Sequence, residues 1–508
     1  MLVYSRMPGE AARIALASLC GKQDTYLVSK APKDSPFFFN GRQLSHSNFR
    51  KYHRSKTVYN PNTDANWPFG QQSIKVRFDP MQMGDLLTNM WVRISMPGLA
   101  STNDTYADQL GRHIFKEVRM RVDEVEVETF YDDWGVIYDE LYLEMSEKVA
   151  NRFLVNRSLA YDSSDLNSTI STAETELFIP LNFFFSRKYS GDEYAQNEPD
   201  RPYFPVCSCY KQKIEFEFVF HKQTFFTDTS KTLTVPKFHI ITEEITLEPE
   251  ERMYFMKTGQ TLVTDLVYRH PSAQTEKGKT SLRTNLVPDQ PVKVLHWFFR
   301  NSKFENENIT ANGETEEGEL YTQNRFNFSS NVNFDQVYSF FAPVMDEAKF
   351  YLNGEKFPNS TQTGHLYYKY LTPMRRYLSR PYRNVYTHSF AEFPRRAQFS
   401  GHLDFSQLKG NKTAVEFTFE PLNAAQQALL ADDVYTAHIY YVGYEVFVFE
   451  GGKMRKLLQS EEKREDQEEE EETPPNPEEM PEPPTGPRKP TPIQTSAFLN
   501  SVRRFASM

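Results

Sequence analysis

The sequence predicts an all-β protein that carries one β-domain of roughly 200 residues twice in tandem. Its 508 residues are more than one compact core normally holds. Aromatic residues make up 14% of the chain, with 41 Phe and 28 Tyr, and 31 prolines break it into short stretches. Because aromatic side chains favour strands and proline ends them, we expect many short strands rather than long helices.

The stretch 67–99 predicts the structural unit with which each domain begins. Apolar and polar residues alternate in 74–78 and again in 92–95, the period of a strand with one buried face. Pro80 and the pair Gly84-Asp85 lie between the two runs and indicate a turn. A unit of two strands cannot bury its own apolar face, so further strands must pack against it.

The second half of the chain repeats landmarks of the first half in the same order. The stretch 281–300 is a weaker copy of the unit at 67–99. Three further landmarks recur: Trp91 and Trp297 are 206 residues apart, Val122 and Leu352 are 230 apart, and Phe216 and Phe417 are 201 apart. This order indicates an internal duplication. We therefore predict an N-terminal arm (1–35), a first domain (36–245), a second domain (246–452) and a C-terminal tail (453–508).

One amphipathic helix is expected inside the first domain. Trp134, Ile137, Leu141, Met145 and Val149 recur at intervals of three and four residues, as they would on one face of a helix. We expect this face to pack on the strands that precede it.

The net charge of −10 is concentrated in the tail. Residues 461–482 hold twelve acidic and two basic side chains and so account for all of it. Because the rest of the chain is neutral and has no basic block, direct sequence-specific binding of nucleic acid is not expected. The segment 461–490 has few apolar side chains to bury and is predicted to be extended and solvated.

The three cysteines are too few to form a disulfide framework for two domains, which indicates folding in a reducing compartment. Cys207 and Cys209 lie in the stretch 203–220, whose pattern predicts a strand, and side chains two apart on a strand share a face. The pair could be half of a metal site, but two small buried thiols are the favoured interpretation. Neither a signal peptide nor an apolar run of 18 residues is found.

No motif for an enzyme is recognised. The chain has no glycine-rich phosphate loop, no H-E-x-x-H, no paired C-x-x-C and no G-x-S-x-G. Glu243 and Glu244 could supply an acid and a base, but neighbours on a strand point to opposite faces, so solvated charges are the favoured reading. His296 and His388 are expected to fill ordinary hydrogen-bonding roles. The sequence thus predicts no catalytic residue, no metal ligand and no cofactor, and it favours a protein that works by association.

Several motifs resemble those of one viral family in order and spacing. In the first domain they are Phe69-Gly70, Gly84-Asp85-Leu86-Leu87 and Met90-Trp91, and in the second Asn353-Gly354, Ser400-Gly401 and Phe405-Ser406. The stretch 36–452 resembles the double jelly-roll major capsid proteins of eukaryotic double-stranded DNA viruses, the lineage of the nucleocytoplasmic large DNA viruses, polinton-like viruses and virophages. Trp297 stands in the second domain where Trp91 stands in the first.

The resemblance implies two tandem eight-stranded jelly-roll β-sandwiches, with short helical insertions and flexible termini. It implies a structural protein that forms homotrimeric, pseudo-hexagonal capsomers in an icosahedral virion shell, is synthesised and assembled inside the host cell, in the cytoplasm, and is not an enzyme. The implied partners are further copies of the chain, penton and minor capsid proteins, and an internal membrane or its associated proteins. The alternative is a carbohydrate-active or carbohydrate-binding β-sandwich protein.

Overall fold

The computed structural model describes residues 68–457 with gaps, and three strands before them. The gaps are 71–72, 101–105, 108, 156–173, 188–202, 228, 237, 248, 303–304, 306–324, 327, 330–342, 358–363, 397–398, 409 and 420–433. The predictions for the arm 1–35 and for the acidic segment 461–490 lie outside the described residues.

Eight strands of the first half form two four-stranded antiparallel sheets. They are β3 (Arg50–Val58), β4 (Ser73–Phe78), β5 (Leu86–Met96), β6 (Phe115–Val122), β7 (Val125–Tyr131), β8 (Thr175–Pro180), β9 (Ile214–Phe220) and β10 (Phe238–Thr246). The strand orders are β3-β10-β5-β8 and β4-β9-β6-β7. The predicted strand-turn-strand unit therefore spans both sheets, because β4 belongs to one and β5 to the other. This arrangement of eight strands is a jelly roll. A short hairpin, β1 (Phe38–Phe39) and β2 (Arg42–Gln43), precedes it.

The second half repeats this topology strand for strand. Its strands are β11 (Gln260–Arg269), β12 (Ala273–Gln274), β13 (Ser281–Asn285), β14 (Pro291–Asn301), β15 (Glu347–Leu352), β16 (Glu355–Phe357), β17 (Tyr386–Ser389), β18 (Leu403–Asp404), β19 (Ala414–Thr418), β20 (Tyr435–Glu450) and β21 (Lys453–Lys456). The orders β11-β20-β14-β17 and β13-β19-β15-β16 match those of the first half, with β12, β18 and β21 as additions to the first sheet. The predicted all-β fold of two jelly rolls is confirmed. Strand β21 pairs with β20, so the ordered hairpin continues four residues beyond 452.

Helices are short and lie between strands. They are α1 (Leu110–Ile114), α2 (Asp132–Leu141), α3 (Met145–Val155), α4 (Pro249–Lys257) and α5 (Thr372–Arg375), with a π-helical turn at Tyr367–Leu371 and 3-10 turns at Pro80–Gln82, Val206–Cys209, Gln223–Phe225, Phe405–Gln407 and Gly410–Lys412. In the described part of the chain no helix combines the length and the apolar character needed to span a membrane.

The prediction of one amphipathic helix is wrong in two respects. The helical run divides into α2 and α3, and all ten residues of α2 are buried, so this helix has no solvated face. Met145 and Val149, predicted to face the core, are 51% and 53% exposed. The reason is that α2 packs between the two sandwiches, and tertiary contacts rather than periodicity decide which faces are covered.

The two long central strands of the second sandwich are buried on both faces. On β14, Leu295 and Trp297 point into the core of their own sandwich, whereas Val294 and Phe298 join the core that includes the first half. Strand β20 divides its side chains in the same way. A strand buried on both faces is expected to read as a continuous apolar run, as β20 does.

The predicted equivalence of Trp91 in the first half and Trp297 in the second is off by one residue when the strand ladders of the two halves are aligned. The pairing of β5 with β10 skips Thr88, and the pairing of β14 with β20 skips Lys293. If these irregularities are aligned, Trp297 corresponds to Val92. Trp297 is buried in its core, but Trp91 is only half-buried, on the face of β5 that it shares with exposed Arg93. The two tryptophans thus lie in equivalent strands, β5 and β14, as the duplication predicts, but only Trp297 occupies a core position.

Candidate functional site

No candidate metal site is found among the described residues. Among them no group of three or more His, Cys, Asp or Glu side chains is placed to hold a metal ion. Cys207 and Cys209 are free, buried thiols, as predicted, but they lie on a 3-10 turn and not on a strand. Burial raises the pKa of Cys207 to about 12, so the thiol is an unreactive neutral group at neutral pH. The features that stand out are the buried contacts that join the two sandwiches.

The first such junction is the turn at Gly84-Asp85, here called the corner, which binds the segment that connects the two halves. Asp85 donates its backbone N–H to Ile245 O at 2.8 Å, and its Oδ2 accepts the Leu247 N–H at 2.7 Å. Arg252 Nε in α4 lies 3.0 Å from Asp85 Oδ1. Burial raises the pKa of the Asp85 carboxyl, and the Leu247 N–H and Arg252 oppose this effect. The corner thus fixes the chain as it leaves β10 for the second sandwich.

Glu243 and Glu244 are buried and belong to the same junction. Glu244 is fully buried and accepts the Gly84 N–H, while Glu243 accepts from the Asn89 side chain. The interpretation of this pair as solvated charges is wrong. A ladder irregularity lies between the two residues, and their donors are Asn89 in β5 and Gly84 just before that strand.

The second junction is helix α2, whose acidic residues pair with bases of the second half. Asp133 and Arg300 are both fully buried and form an ion pair, and Tyr440 Oη donates to Asp133 Oδ2 at 3.3 Å. Arg300 also contacts Glu305 Oε2 at 3.2 Å. A buried ion pair tolerates the loss of neither partner, so these contacts hold the helix and the second sandwich in one arrangement.

Asp132 forms a parallel set of contacts one residue earlier. Arg325 Nε lies 3.0 Å from Asp132 Oδ2, and His221 Nε2 lies 2.9 Å from the same atom. Burial alone would raise the pKa of Asp132, but Arg325, His221 and Arg300 outweigh it, and this pKa lies well below its usual value. The carboxylate is therefore charged and bridges a base of the second half to a strand end of the first.

A third set of charges crosses between the halves at β7 and β11. Glu128 pairs with Arg187 and accepts the Val267 N–H at 2.9 Å. Arg187 Nη1 donates to Asp265 O at 2.7 Å. The Asp265 carboxylate accepts from the fully buried Lys293 at 3.1 Å. Burial lowers the pKa of Lys293, and Asp265 opposes this effect.

Aromatic contacts fill the space between these charges. The rings of Trp134 and His296 are 6.0 Å apart, and Tyr142 Oη lies 2.9 Å from His296 Nε2. The other ring nitrogen of His296 lies 2.9 Å from Thr387 Oγ1. Burial lowers the pKa of His296 to about 3, so it is a neutral hydrogen-bonding group, as the sequence predicts.

Phe69, Gly70, Gly84 and Asp85, four predicted motif residues of the first sandwich, lie at turns and beside strand ends, whereas Trp91 lies within β5. Phe69 packs in the core against Phe226, with ring centroids 5.0 Å apart. Gly70 has φ +83°, and a Cβ there would lie 2.9 Å from Lys222 Cα, so a larger residue does not fit.

In the second sandwich the motifs likewise form turns. Asn353 and Gly354 form the tight turn between β15 and β16, both with positive φ. Ser400 Oγ accepts the Phe393 N–H at 3.0 Å. Gly401 has φ +126°, and a Cβ there would lie 2.9 Å from Phe390 O. These residues shape loops, and none of them meets Gly84-Asp85 in a common site.

The partners of α2 were missed by the sequence analysis. Asp133 and Arg300 are 167 residues apart in the chain, and Asp132 and Arg325 are 193 apart. One signal was available, because Lys293 and Arg300 stand inside the apolar run of β14, where an unpaired charge would be costly.

Two jelly rolls of identical strand order, joined through buried ion pairs, define a double jelly-roll protein. Residues 47–241 match the family model described as major capsid protein N-terminus, and residues 245–454 match the model described as large eukaryotic DNA virus major capsid protein. The chain belongs to this family of double jelly-roll major capsid proteins. It is a structural protein of the virion capsid, not an enzyme, and it associates with itself in the shell.

Solved structures agree on the fold. The chain is similar to the VP54 protein of PBCV-1, fitted into a reconstruction of the virophage Sputnik, with 16% identity, a TM-score of 0.61, and coverage of 81% of this chain and 97% of that one. It is also similar to a quasi-atomic model of the PBCV-1 capsid, with 17% identity, a TM-score of 0.62, and coverage of 81% of this chain and 97% of that one. The Faustovirus major capsid protein has 11% identity, a TM-score of 0.51, and coverage of 81% of this chain and 92% of that one. No curated protein sequence matches the chain.

Proposed function

We propose that the chain forms homotrimeric, pseudo-hexagonal capsomers that tile an icosahedral virion shell. The observation that carries the proposal is the repeat of one strand order in both halves. Two similar sandwiches in each subunit give six in a trimer, so three copies around an axis present a nearly sixfold outline. A closed ring of like subunits is a common form of protein oligomer.

The contacts between the sandwiches support this proposal. A capsomer can tile a shell only if its outline is constant, and the two sandwiches must then move as one body. Asp133 with Arg300, and Asp132 with Arg325, are buried ion pairs across the halves that resist sliding. The corner at Asp85 restrains the connecting chain as well.

The domain division 36–245 and 246–452 belongs to the same proposal, supported by the finding that no described strand of one half pairs with a strand of the other. We infer that the motif residues act by shaping the loops and corners of each sandwich. The further partners would be penton and minor capsid proteins, with an internal membrane or its proteins on the inner face of the shell. Synthesis and assembly would take place in the host cytoplasm.

The mass of the purified protein tests the proposal. Size-exclusion chromatography with light scattering should give about three times 59.4 kDa, unchanged over a dilution series, and electron micrographs should show pseudo-hexagonal particles. A stable monomer would contradict the trimer. A monomer that also binds or cleaves glycans would favour the carbohydrate-active alternative.

A further inference from the structure

A narrow cavity lies between the two sandwiches, apart from the motif residues. Trp134, Tyr142 and Arg187 line it from the first half, and Asp265 and Arg395 line it from the second. It has room for one occupant of about the size of a water molecule. Its surface is mostly apolar, but three charged residues take part in the lining, and in this it differs from the purely apolar cavities that stay empty.

The most unusual group in its wall is the guanidinium of Arg395. The residue is 8% exposed, and Nη1 donates to Tyr377 O at 3.2 Å. Nε and Nη2 are buried and have no hydrogen-bond partner among the described residues, which also provide no acidic side chain as an ion-pair partner for Arg395. Buried charges in proteins are normally paired, because an isolated one is strongly destabilising.

A second donor in the same wall lacks an acceptor. Trp134 is 1% exposed, and within the described part of the chain its indole Nε1–H has no hydrogen-bond partner. An indole N–H can only donate, and so can a guanidinium. Trp134 and Arg395, which both line this small cavity, thus have three buried N–H groups without an acceptor, and an acceptor inside the cavity would satisfy them.

The charges around the cavity indicate that this acceptor is an anion. Arg187 is matched by Glu128, and Lys293 is matched by Asp265. Arg395 has no such partner among the described residues, so no direct ion pair compensates its buried charge. A water molecule could accept hydrogen bonds there but would leave that charge uncompensated.

The size of the cavity and the geometry of its donors select a small anion. Nε and Nη2 form one edge of the planar guanidinium, whose parallel N–H groups hold an anion between them. Sulfate and phosphate are much larger than a water molecule, whereas a chloride ion is only slightly larger, so chloride is the anion that comes nearest to the size of the cavity. We propose that the cavity binds one chloride ion, held by the Nε and Nη2 edge of Arg395 and by the indole N–H of Trp134. The ion joins the first sandwich to the second.

Bromide locates the site directly, because it replaces chloride and scatters anomalously. Crystals of the full chain soaked in sodium bromide should show an anomalous peak between Arg395 and Trp134. The peak should be absent in Arg395→Met and present in the control Arg375→Met, which removes an exposed arginine nearby. An oxygen-sized peak without anomalous signal at this position would identify water and overturn the proposal, as would equal bromide occupancy in Arg395→Met.

A solution measurement tests the consequence for stability. At constant ionic strength, replacing gluconate with chloride should raise the unfolding midpoint of the wild-type protein by on the order of 2 °C in a saturable way. Arg375→Met should respond like the wild type, and Arg395→Met should not respond. The proposal is wrong if chloride has no effect on the wild type or has the same effect on Arg395→Met. If that variant does not fold, the bromide map of the wild type decides alone.

Discussion

The ion pair between Asp133 and Arg300 gives the sharpest test of how the sandwiches are joined. Both side chains are fully buried, so Asp133→Asn keeps the shape of the side chain but leaves Arg300 without its nearest negative charge. Breaking a buried pair in this way costs about 3–5 kcal/mol. Glu305 remains 3.2 Å from Arg300, and this residual pairing places the expected loss near the lower end, at about 3 kcal/mol.

Equilibrium unfolding in urea measures this loss, with the exposed pair Arg93 and Glu176 as the matched control. Those side chains are 49% and 43% exposed, so Glu176→Gln should cost at most about 1 kcal/mol. Circular dichroism follows the strands, and tryptophan fluorescence follows the packing between the sandwiches. If Asp133→Asn is no more destabilising than Glu176→Gln, the buried pair does not lock the two halves and the reasoning fails.

Four other substitutions have defined outcomes. Trp297→Ala should lower the free energy of unfolding by about 3–5 kcal/mol because it opens a core cavity, whereas Trp91→Ala should lower it by clearly less because Trp91 is only half-buried. Equal losses of stability in thermal unfolding would contradict the register. Gly401→Ala should destabilise by more than about 1 kcal/mol because of its positive φ and the nearby Phe390 O, and an unchanged melting temperature would disprove the strain. Burial lowers the pKa of His388 to about 4 in the folded protein, against about 6.5 in the unfolded chain. The stability that neutral His388 contributes is therefore complete above a pH of about 6.5, and it is lost as the pH falls towards about 4. The loss is roughly 1.4 kcal/mol of unfolding free energy per pH unit. His388→Leu should flatten the stability profile in that interval, and an unchanged slope would refute this.

The strands and the duplication could be predicted from the sequence because both leave local patterns. Alternation in β4 and β5 and the copy in β13 and β14 are visible within 20 to 30 residues, and the structure places them at corresponding points of two sheets. Turn residues carry a similar local signal, since Asn353 with Gly354 needs a left-handed backbone that few residues adopt.

The buried charges could not be predicted, because their partners are distant in the chain. Glu244 looked solvated, but Gly84, which donates to it, lies 160 residues away. The helical pattern likewise continues through Val149, yet α2 ends at Leu141. Tyr142, which follows α2, stacks on Tyr138 with ring centroids 5.2 Å apart and contacts His296 of the other sandwich. Such contacts override periodicity and have no trace in the local sequence.

The one-residue shift between Trp91 and Trp297 shows how two sandwiches of the same topology become unequal. In the aligned ladders the counterpart of Trp91 is His296, so both residues lie on the outer face of equivalent strands. In the second sandwich α2 of the first half covers this face, and polar or charged residues there, including His296 and Arg300, are buried and paired. In the first sandwich the same face holds half-buried Trp91 and exposed Arg93. The insertion that carries α2 in the first half therefore buries a sheet of the second half. As a result, the two repeats of the subunit are joined by one rigid and asymmetric junction.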